Sequence, residues 1–290
     1  MPETFWTNTI WFILLGITTL IELAILLRRA KRPYFMLAFY FTITGMSFCF
    51  EMVVLSYLNA YTYKPMLIPQ SPPNDAIAGN LFSQFSVSAT AALLALFRPR
   101  FYWCILFALV YGGIEELFLY LGIYEHYWYR TWMTVVFLLI FFWIATKSYN
   151  VCFSSKWRFW RYPFILFGLV TLYIHSITWV LQLAGIRRYS STLVPGSDRS
   201  MVILSASETL ILGSITIYLY FSRIRWRWKL VVIVLLFLAL KAMEQLQLIT
   251  LKDGWFLAAS FICIGGMYLY TYLLDRMYNQ VNYTEEWMKQ

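Results

Sequence analysis

The sequence predicts an all-α fold, a polytopic transmembrane helix bundle of about nine spans that forms one domain over residues 1–290. Hydrophobic residues make up 61% of the chain and charged residues only 13%, whereas a soluble domain carries about 25% charged residues. The mean hydropathy is +0.63. Apolar runs of about 20 residues, the length that crosses a bilayer, recur along the whole chain. The composition therefore excludes a soluble protein and predicts a lipid bilayer as its surroundings.

Nine apolar runs follow one another, with short polar segments between them. They extend over 6–27, 34–58, 77–97, 101–123, 131–150, 162–184, 202–222, 229–250 and 255–274. Alternate connecting segments hold 16 of the 23 Lys and Arg residues, and the other connecting segments hold six. Because short cytoplasmic loops carry the excess of basic residues, this bias predicts an N-terminus outside, a C-terminus inside and an odd number of spans. It also accounts for the net charge of +9 without a nucleic-acid partner.

The first run is predicted to be a retained transmembrane helix. A signal peptide has basic residues before its apolar segment, whereas Arg28, Arg29, Lys31 and Arg32 come after this one. Runs one and nine contain almost only apolar residues, and run five is nearly as apolar. The polar residues within the membrane are concentrated in the other six runs.

Cysteine and histidine are too few and too scattered for a metal site. The four cysteines form no CxxC pair, and the two histidines are His126 and His175. Neither a disulfide framework nor a zinc site is supported. No phosphate-binding, dinucleotide or serine-nucleophile motif is present. We therefore expect no metal and no cofactor.

Polar residues lie on one face of several runs. In run two, Tyr40, Thr44, Ser47 and Glu51 follow helical spacing, and run four carries two adjacent carboxylates. Any one Ser, Thr, Asn or Gln in such a helix can simply hydrogen-bond a neighbouring helix. The residues that we select as candidate binding residues are Glu51, Gln84, Glu115, Glu116, His175, Gln182, Glu208, Lys241, Glu244 and Gln245.

The carboxylates are the strongest signal, because a charged side chain in hydrocarbon costs roughly 2.5–3.5 kcal/mol on insertion scales. They outnumber the cations within the runs, and with the inferred topology most candidates lie in the outer half of the membrane. The pair Lys241 and Glu244 can neutralise itself at i, i+3 spacing. We expect a polar cavity that opens outward and is lined by runs two, three, four, six, seven and eight, with Lys241 as its floor.

Two longer outside segments and one repeated pattern are left open. Asn59 to Gly79 is rich in Pro, and Gly185 to Ser200 is polar; each is either a binding loop or a plain connector. Residues around Tyr57 and Tyr61 match residues around Tyr120 and Tyr124 at an offset of 63. That match is either a helix-pair repeat or a chance likeness between aromatic helix ends.

Several short passages in the first half carry a family resemblance. These are Y-T-Y-K-P at 61–65, Asp75, G-N-L-F-S-Q at 79–84, and the Glu-bearing helix with an aromatic exit from Glu116 to Trp132. They resemble poorly characterised multi-pass membrane proteins of Bacillus and related spore-forming Firmicutes. The resemblance implies a multi-pass protein of a bacterial cell membrane and supplies no activity.

Three functions from different classes fit these observations. The first is a protein that binds or transports a small molecule or cation through the carboxylate-lined cavity. The second is a structural or assembly subunit whose polar stripes face a membrane-protein partner. The third is a membrane enzyme acting on a lipid or isoprenoid, in which an acid beside aromatic rings would protonate an alkene.

Overall fold

A computed structural model describes residues 5–154, 157–189 and 200–287, with side chains as far as residue 279. Within these residues the chain forms nine helices. They are α1 (Phe5–Arg29), α2 (Pro33–Tyr57), α3 (Pro72–Phe97), α4 (Phe101–Tyr120), α5 (Thr131–Val151), α6 (Trp157–Leu183), α7 (Ser200–Phe221), α8 (Trp226–Gln245) and α9 (Phe256–Trp287). The all-α fold predicted from the sequence is confirmed.

Eight of these helices are long and apolar enough to cross a membrane. The exception is α8, which has the required length but carries Arg227, Lys229, Lys241 and Glu244 within 20 residues. The expectation of about nine spans is therefore close to the eight helices that meet the criteria by length and composition.

Helix boundaries follow from the local sequence. Helix α3 begins with Pro72, whose fixed φ suits the first helical position. It ends at Phe97, and the next residue, Arg98, has a left-handed φ of 48°. The following Pro99 prevents the helix from continuing past this point. Helices α2 and α6 change to π-helix near their C-terminal ends, at Met52–Tyr57 and Ile174–Thr178. Such segments occur frequently at functional sites.

Four three-residue strands follow the C-terminal ends of α2, α4, α6 and α8. They are β1 (Tyr61–Tyr63), β2 (Tyr124–His126), β3 (Arg187–Tyr189) and β4 (Ile249–Leu251). Strand β1 pairs antiparallel with β2, and β3 pairs antiparallel with β4. The sequence analysis did not anticipate them, because three residues are too few for an alternating pattern. The β1–β2 pair therefore connects the hairpin of α2 and α3 to that of α4 and α5, and the β3–β4 pair connects the hairpin of α6 and α7 to that of α8 and α9.

The backbone repeats four times with the 63-residue offset noted in the sequence. A residue with positive φ precedes each strand, namely Asn59, Gly122, Gly185 and Gln247, at intervals of 63, 63 and 62 residues. The strands keep the same intervals. Of the two alternatives, the backbone supports the helix-pair repeat. We call α2–β1–α3 repeat one, α4–β2–α5 repeat two, α6–β3–α7 repeat three and α8–β4–α9 repeat four.

Helices α2 and α6, which open repeats one and three, pack closely against each other. A Cβ atom added to Gly45 would lie 1.8 Å from the carbonyl oxygen of Phe167, so only glycine permits this approach. Thr42 Oγ1 donates to the carbonyl of Phe164 at 2.8 Å, and Thr171 Oγ1 donates to that of Phe41 at 2.7 Å. This contact joins repeats one and two to repeats three and four.

Candidate functional site

A cavity of about 230 Å³ lies within repeats one and two, beside the β1–β2 strand pair. Helices α1 to α5 all contribute to its wall. Its polar lining includes Ser47 and Glu51 from α2, Gln84 from α3, and Tyr111 and Glu115 from α4. Three residues of the predicted binding set, Glu51, Gln84 and Glu115, therefore line one cavity.

Glu51 lies at the point where α2 changes to π-helix, and its side chain is buried. The phenol of Tyr61 lies 2.6 Å and 2.5 Å from its two carboxylate oxygens and donates a hydrogen bond. Burial, together with the charge of Glu51, raises the pKa of Tyr61 well above its ordinary value. The phenol therefore stays neutral and cannot compensate the charge of a carboxylate.

Glu115 is held by groups from two other elements. Thr134 Oγ1 on α5 donates to its Oε2 at 2.5 Å, and His126 Nε2 on β2 lies 2.8 Å from its Oε1. Only 11% of the Glu115 side chain is exposed. His126 balances this carboxylate only when its imidazole is protonated.

The amide of Gln84 completes the polar part of the cavity. Ser47 Oγ donates to Gln84 Oε1, and Gln84 Nε2 donates to Asn80 Oδ1 at 3.4 Å. Because its side chain is an uncharged amide, Gln84 contributes a dipole and no balancing charge.

Four tyrosine rings surround the polar end of the cavity. The ring centroid of Tyr61 lies 5.8 Å from that of Tyr63, 5.2 Å from that of Tyr124 and 5.0 Å from that of Tyr129. The ring centroids of Tyr63 and Tyr124 lie 4.8 Å apart. Burial raises the pKa of all four phenols, so the rings are neutral. Faces of neutral aromatic rings attract cations, and clustered rings recognise substituted ammonium groups.

The other end of the cavity reaches the surface of the bundle between α2 and α5. Phe50 and Phe137, whose ring centroids are 5.2 Å apart, line this wall and are 40% and 39% exposed. Ile140 and Ile144 continue it along α5, at 47% and 37% exposed. The wall is apolar and belongs to helices that are long and apolar enough to cross a membrane.

A second buried carboxylate lies in repeats three and four and has a different arrangement. Glu208 Oε2 accepts from Arg187 Nη2 at 2.6 Å and from Tyr189 Oη at 2.8 Å, while Tyr173 Oη lies 3.3 Å from its Oε1. The Arg187 guanidinium lies over the Tyr189 ring, 4.9 Å from its centroid, and 3.2 Å from Cys263 Sγ. This carboxylate is fully compensated by a cation from the chain itself.

Repeats one and two lack the cation that repeats three and four place beside their buried carboxylate. Tyr61 and Arg187 are the first residues of β1 and β3, so they occupy the same place in the repeat. In repeats three and four that place supplies a guanidinium to the buried carboxylate. In repeats one and two it supplies a neutral phenol, although Glu51 is buried there and Glu115 is largely buried. Glu115 corresponds to the buried Leu240 of α8, five residues before the end of each helix.

Four predicted binding residues lie away from this cavity. Glu116 is exposed on the outer surface of α4. Lys241 does not form the floor of the cavity: it is exposed on α8, its Nζ 2.6 Å from Glu244 Oε2 and 4.8 Å from the Phe256 ring centroid. Gln245 is exposed at the end of the same helix. The expectation that α8 lines the cavity is wrong, because these side chains point away from the bundle.

The remaining predicted residues take structural positions or belong to the second half. His175 Nδ1 lies 2.6 Å from the Thr171 carbonyl, and its ring centroid is 4.2 Å from that of Phe48. Gln182 Nε2 donates to Asn74 Oδ1 at 3.0 Å, and Glu208 pairs with Arg187. Helices α6 and α7 were expected to line the cavity, but they do not. Helices α1 and α5 line it instead, although their sequences are almost entirely apolar.

Sequence reasoning missed several residues that contact the carboxylates. Tyr61, His126 and Arg187 lie in segments between apolar runs, where hydropathy assigns no role within the membrane. The 63-residue offset was the available signal, because it relates Tyr61, Tyr124 and Arg187. Glu22 was missed because it is one acid in an otherwise apolar run.

The part of the chain that the structure describes contains no group of three His, Cys, Asp or Glu residues placed to hold a metal ion. No family model matches the chain, and neither a curated protein nor a solved structure matches it.

Proposed function

We propose that this membrane protein binds a small amphiphilic molecule with a cationic head in the cavity of repeats one and two. Glu51 and Glu115 supply the negative charge, and the rings of Tyr61, Tyr63, Tyr124 and Tyr129 surround the cation. The apolar tail lies along Phe137 and Ile140, toward the opening between α2 and α5. With the orientation expected from the basic loops, the strand end of the cavity faces outward.

The observation that carries this proposal is the missing cation. Among the described residues, no Lys or Arg contacts Glu51 or Glu115, and only His126 can contribute a positive charge. Removing the partner of a buried charge costs about 3–5 kcal/mol, so the buried Glu51 and the largely buried Glu115, with at most one cation between them, need a proton or a bound cation. Repeats three and four favour a bound cation over a proton. There Arg187 supplies a cation to Glu208 from the strand position that Tyr61 occupies in repeat one.

The lateral opening supports an amphiphile over an inorganic ion. An ion would need oxygen ligands on several sides, whereas much of this wall consists of Phe, Ile and Leu side chains. Small-molecule sites combine a mostly apolar wall with a few polar groups that fix orientation, as this cavity does. A hydrocarbon tail would fill the apolar part, and the head would reach the carboxylates.

Binding of hexyltrimethylammonium to protein in lipid nanodiscs tests the proposal by calorimetry, with hexanesulfonate as the anionic control. We expect the cation to bind and the anion not to bind. Glu51→Gln should weaken cation binding at least about tenfold, which corresponds to about 1.4 kcal/mol. Glu116→Gln, which changes an adjacent carboxylate outside the cavity, should bind as wild type does. Equal affinities of wild type and Glu51→Gln, or equal binding of both probes, would refute the proposal.

A further inference from the structure

A carboxylate on α1 contacts the cavity indirectly through hydroxyl groups. Glu22 Oε1 accepts a hydrogen bond from Thr90 Oγ1 on α3 at 2.7 Å. Its other oxygen, Oε2, is buried and has no hydrogen-bond partner among the described residues. Glu22 is thus an acid within a membrane-spanning helix that has only one neutral partner, a situation typical of functional groups.

The hydrogen bonds continue from Thr90 to the cavity. Thr90 Oγ1 lies 2.8 Å from Tyr111 Oη on α4, and Tyr111 Oη lies 2.9 Å from Ser86 Oγ. The Tyr111 side chain lines the cavity, one helical turn before Glu115. A continuous row of hydroxyl groups, each able both to donate and to accept, therefore connects the cavity to Glu22.

This row crosses the middle of the bundle toward its basic end. Glu22 lies seven residues before the end of α1 at Arg29, and Thr90 lies seven residues before the end of α3 at Phe97. Glu115 lies near the opposite end, five residues before the end of α4. Glu22 and the residues of this row were not among the candidates selected from the sequence, because they are single polar residues on three different helices.

We propose that Glu22 is a protonation site that exchanges protons with the cavity through Thr90 and Tyr111. Each hydroxyl passes its own proton to the next oxygen and receives one from the preceding group. The net result is transfer of one proton from a hydronium ion in the cavity, which becomes water, to the Glu22 carboxylate, and no other bond changes. Tyr40 on α2 and Tyr111 on α4 are the titratable side chains that face Glu22 in the described part of the chain.

The competing explanation is that the bond between Thr90 and Glu22 only holds α1 against α3. The two explanations separate in Glu22→Gln, because glutamine keeps the shape and the accepting oxygen but cannot take up a proton. An adhesive role predicts that this variant is normal in every respect. A protonation site predicts that it folds normally and loses proton exchange. This inference does not depend on which ligand the cavity binds.

The experiment is infrared difference spectroscopy of the protein in lipid nanodiscs, which follows the carboxylic-acid C=O bands that appear when the pH is lowered. We expect Glu22→Gln to lack one band that the wild type gains. Tyr111→Phe and Thr90→Val should gain this band at least about tenfold more slowly after a rapid drop in pH, since each removes one hydroxyl while keeping the side chain's shape. Glu116→Gln is the matched control and should gain the Glu22 band as fast as wild type.

Two results would overturn the inference. One is the same set of carboxylic-acid bands in Glu22→Gln as in wild type, in protein that elutes as wild type does in gel filtration. The other is a Glu22 band that appears as fast in Tyr111→Phe and Thr90→Val as in wild type. A missing band in Glu22→Gln with normal binding of hexyltrimethylammonium would support the protonation site separately from the proposed ligand site.

Discussion

At the scale of single residues, the pair of Arg187 and Glu208 is the clearest test of how this bundle tolerates buried charge. Only 2% of the Arg187 side chain and 0% of the Glu208 side chain are exposed. Removing one partner of such a pair leaves the other charge uncompensated, at about 3–5 kcal/mol. Arg187→Met should therefore lower the free energy of unfolding by that amount, measured by chemical unfolding in mixed micelles.

The double variant Arg187→Met/Glu208→Gln should recover part of this loss, because no charge is then left without a partner. Lys241→Ala is the matched control, since the exposed pair with Glu244 is worth about 0.5 kcal/mol or less. A double variant no more stable than Arg187→Met alone would show that the two charges are not coupled.

The repeated positive φ gives a second residue-scale prediction. Gln247 has a φ of 56° at the place where repeat two has Gly122 with a φ of 69°. A left-handed conformation costs a non-glycine residue roughly 1–2 kcal/mol, and glycine loses part of that gain to its unfolded-state entropy. Gln247→Gly should raise the free energy of unfolding by about 0.5–1 kcal/mol.

The reverse change, Gly122→Gln, should lower it by a similar amount, because a Cβ added at Gly122 would meet no atom within 4 Å and only the backbone conformation matters. Changes of the same sign in both variants would argue that the two turns are not equivalent.

The sequence predicted part of the candidate site at this scale. Glu51, Gln84 and Glu115 could be selected because charge and amide groups in hydrocarbon are costly wherever they occur. Glu116 and Lys241 were selected for the same reason but face outward. Whether an acid points to the centre depends on helix rotation, and adjacent residues such as Glu115 and Glu116 lie about 100° apart around a helix.

At the scale of elements, the contact between α2 and α6 determines how the two halves meet. Because a Cβ at Gly45 would overlap the Phe167 carbonyl, Gly45→Ala should separate these helices and cost about 1–3 kcal/mol. Gly113→Ala on α4 is the control: its Cβ would meet nothing within 4 Å, and it should be neutral or slightly stabilising. Thermal unfolding in detergent measures both, and equal stabilities would contradict the described packing.

The helices were predictable at this scale and the strands were not. Composition alone places long apolar helices, since a bilayer requires every backbone group to bond within its own segment. A strand of three residues carries no periodicity, and β1 becomes visible only through its pairing with β2, which is 63 residues away. The 63-residue offset between Tyr61 and Tyr124 indicated a relation between these two segments, but a single match could not be distinguished from chance.

At the scale of the whole molecule, the distribution of basic residues predicts that the strand end lies outside. Lys64→Cys, next to β1, should react with a membrane-impermeable thiol reagent in intact cells, whereas Arg225→Cys, at the start of α8, should react only after permeabilisation. The four native cysteines are buried or partly buried, so the unmodified protein serves as the background. Labelling of Arg225→Cys in intact cells would reverse the orientation.

The two halves of the molecule share one backbone plan and treat buried charge differently. Repeats three and four carry their own cation, Arg187, whereas repeats one and two hold two acids, four tyrosine rings and a cavity. The sequence indicated a helix-pair repeat only for repeats one and two, through the single match between the residues around Tyr57 and Tyr61 and those around Tyr120 and Tyr124. The difference between the halves required the structure, because it depends on which side chain enters from the first position of each strand.

A double-mutant cycle measures whether the Glu51 carboxylate lacks a cation. The quantity is the free energy of unfolding of Tyr61→Arg in the wild-type background and in Glu51→Gln. If Glu51 is an uncompensated carboxylate, the introduced guanidinium pairs with it as Arg187 pairs with Glu208. Tyr61→Arg should then be more costly in Glu51→Gln than in wild type by about 3 kcal/mol. An equal cost in both backgrounds would mean that Glu51 holds no charge for a cation to neutralise, and the proposed cation site would be ruled out.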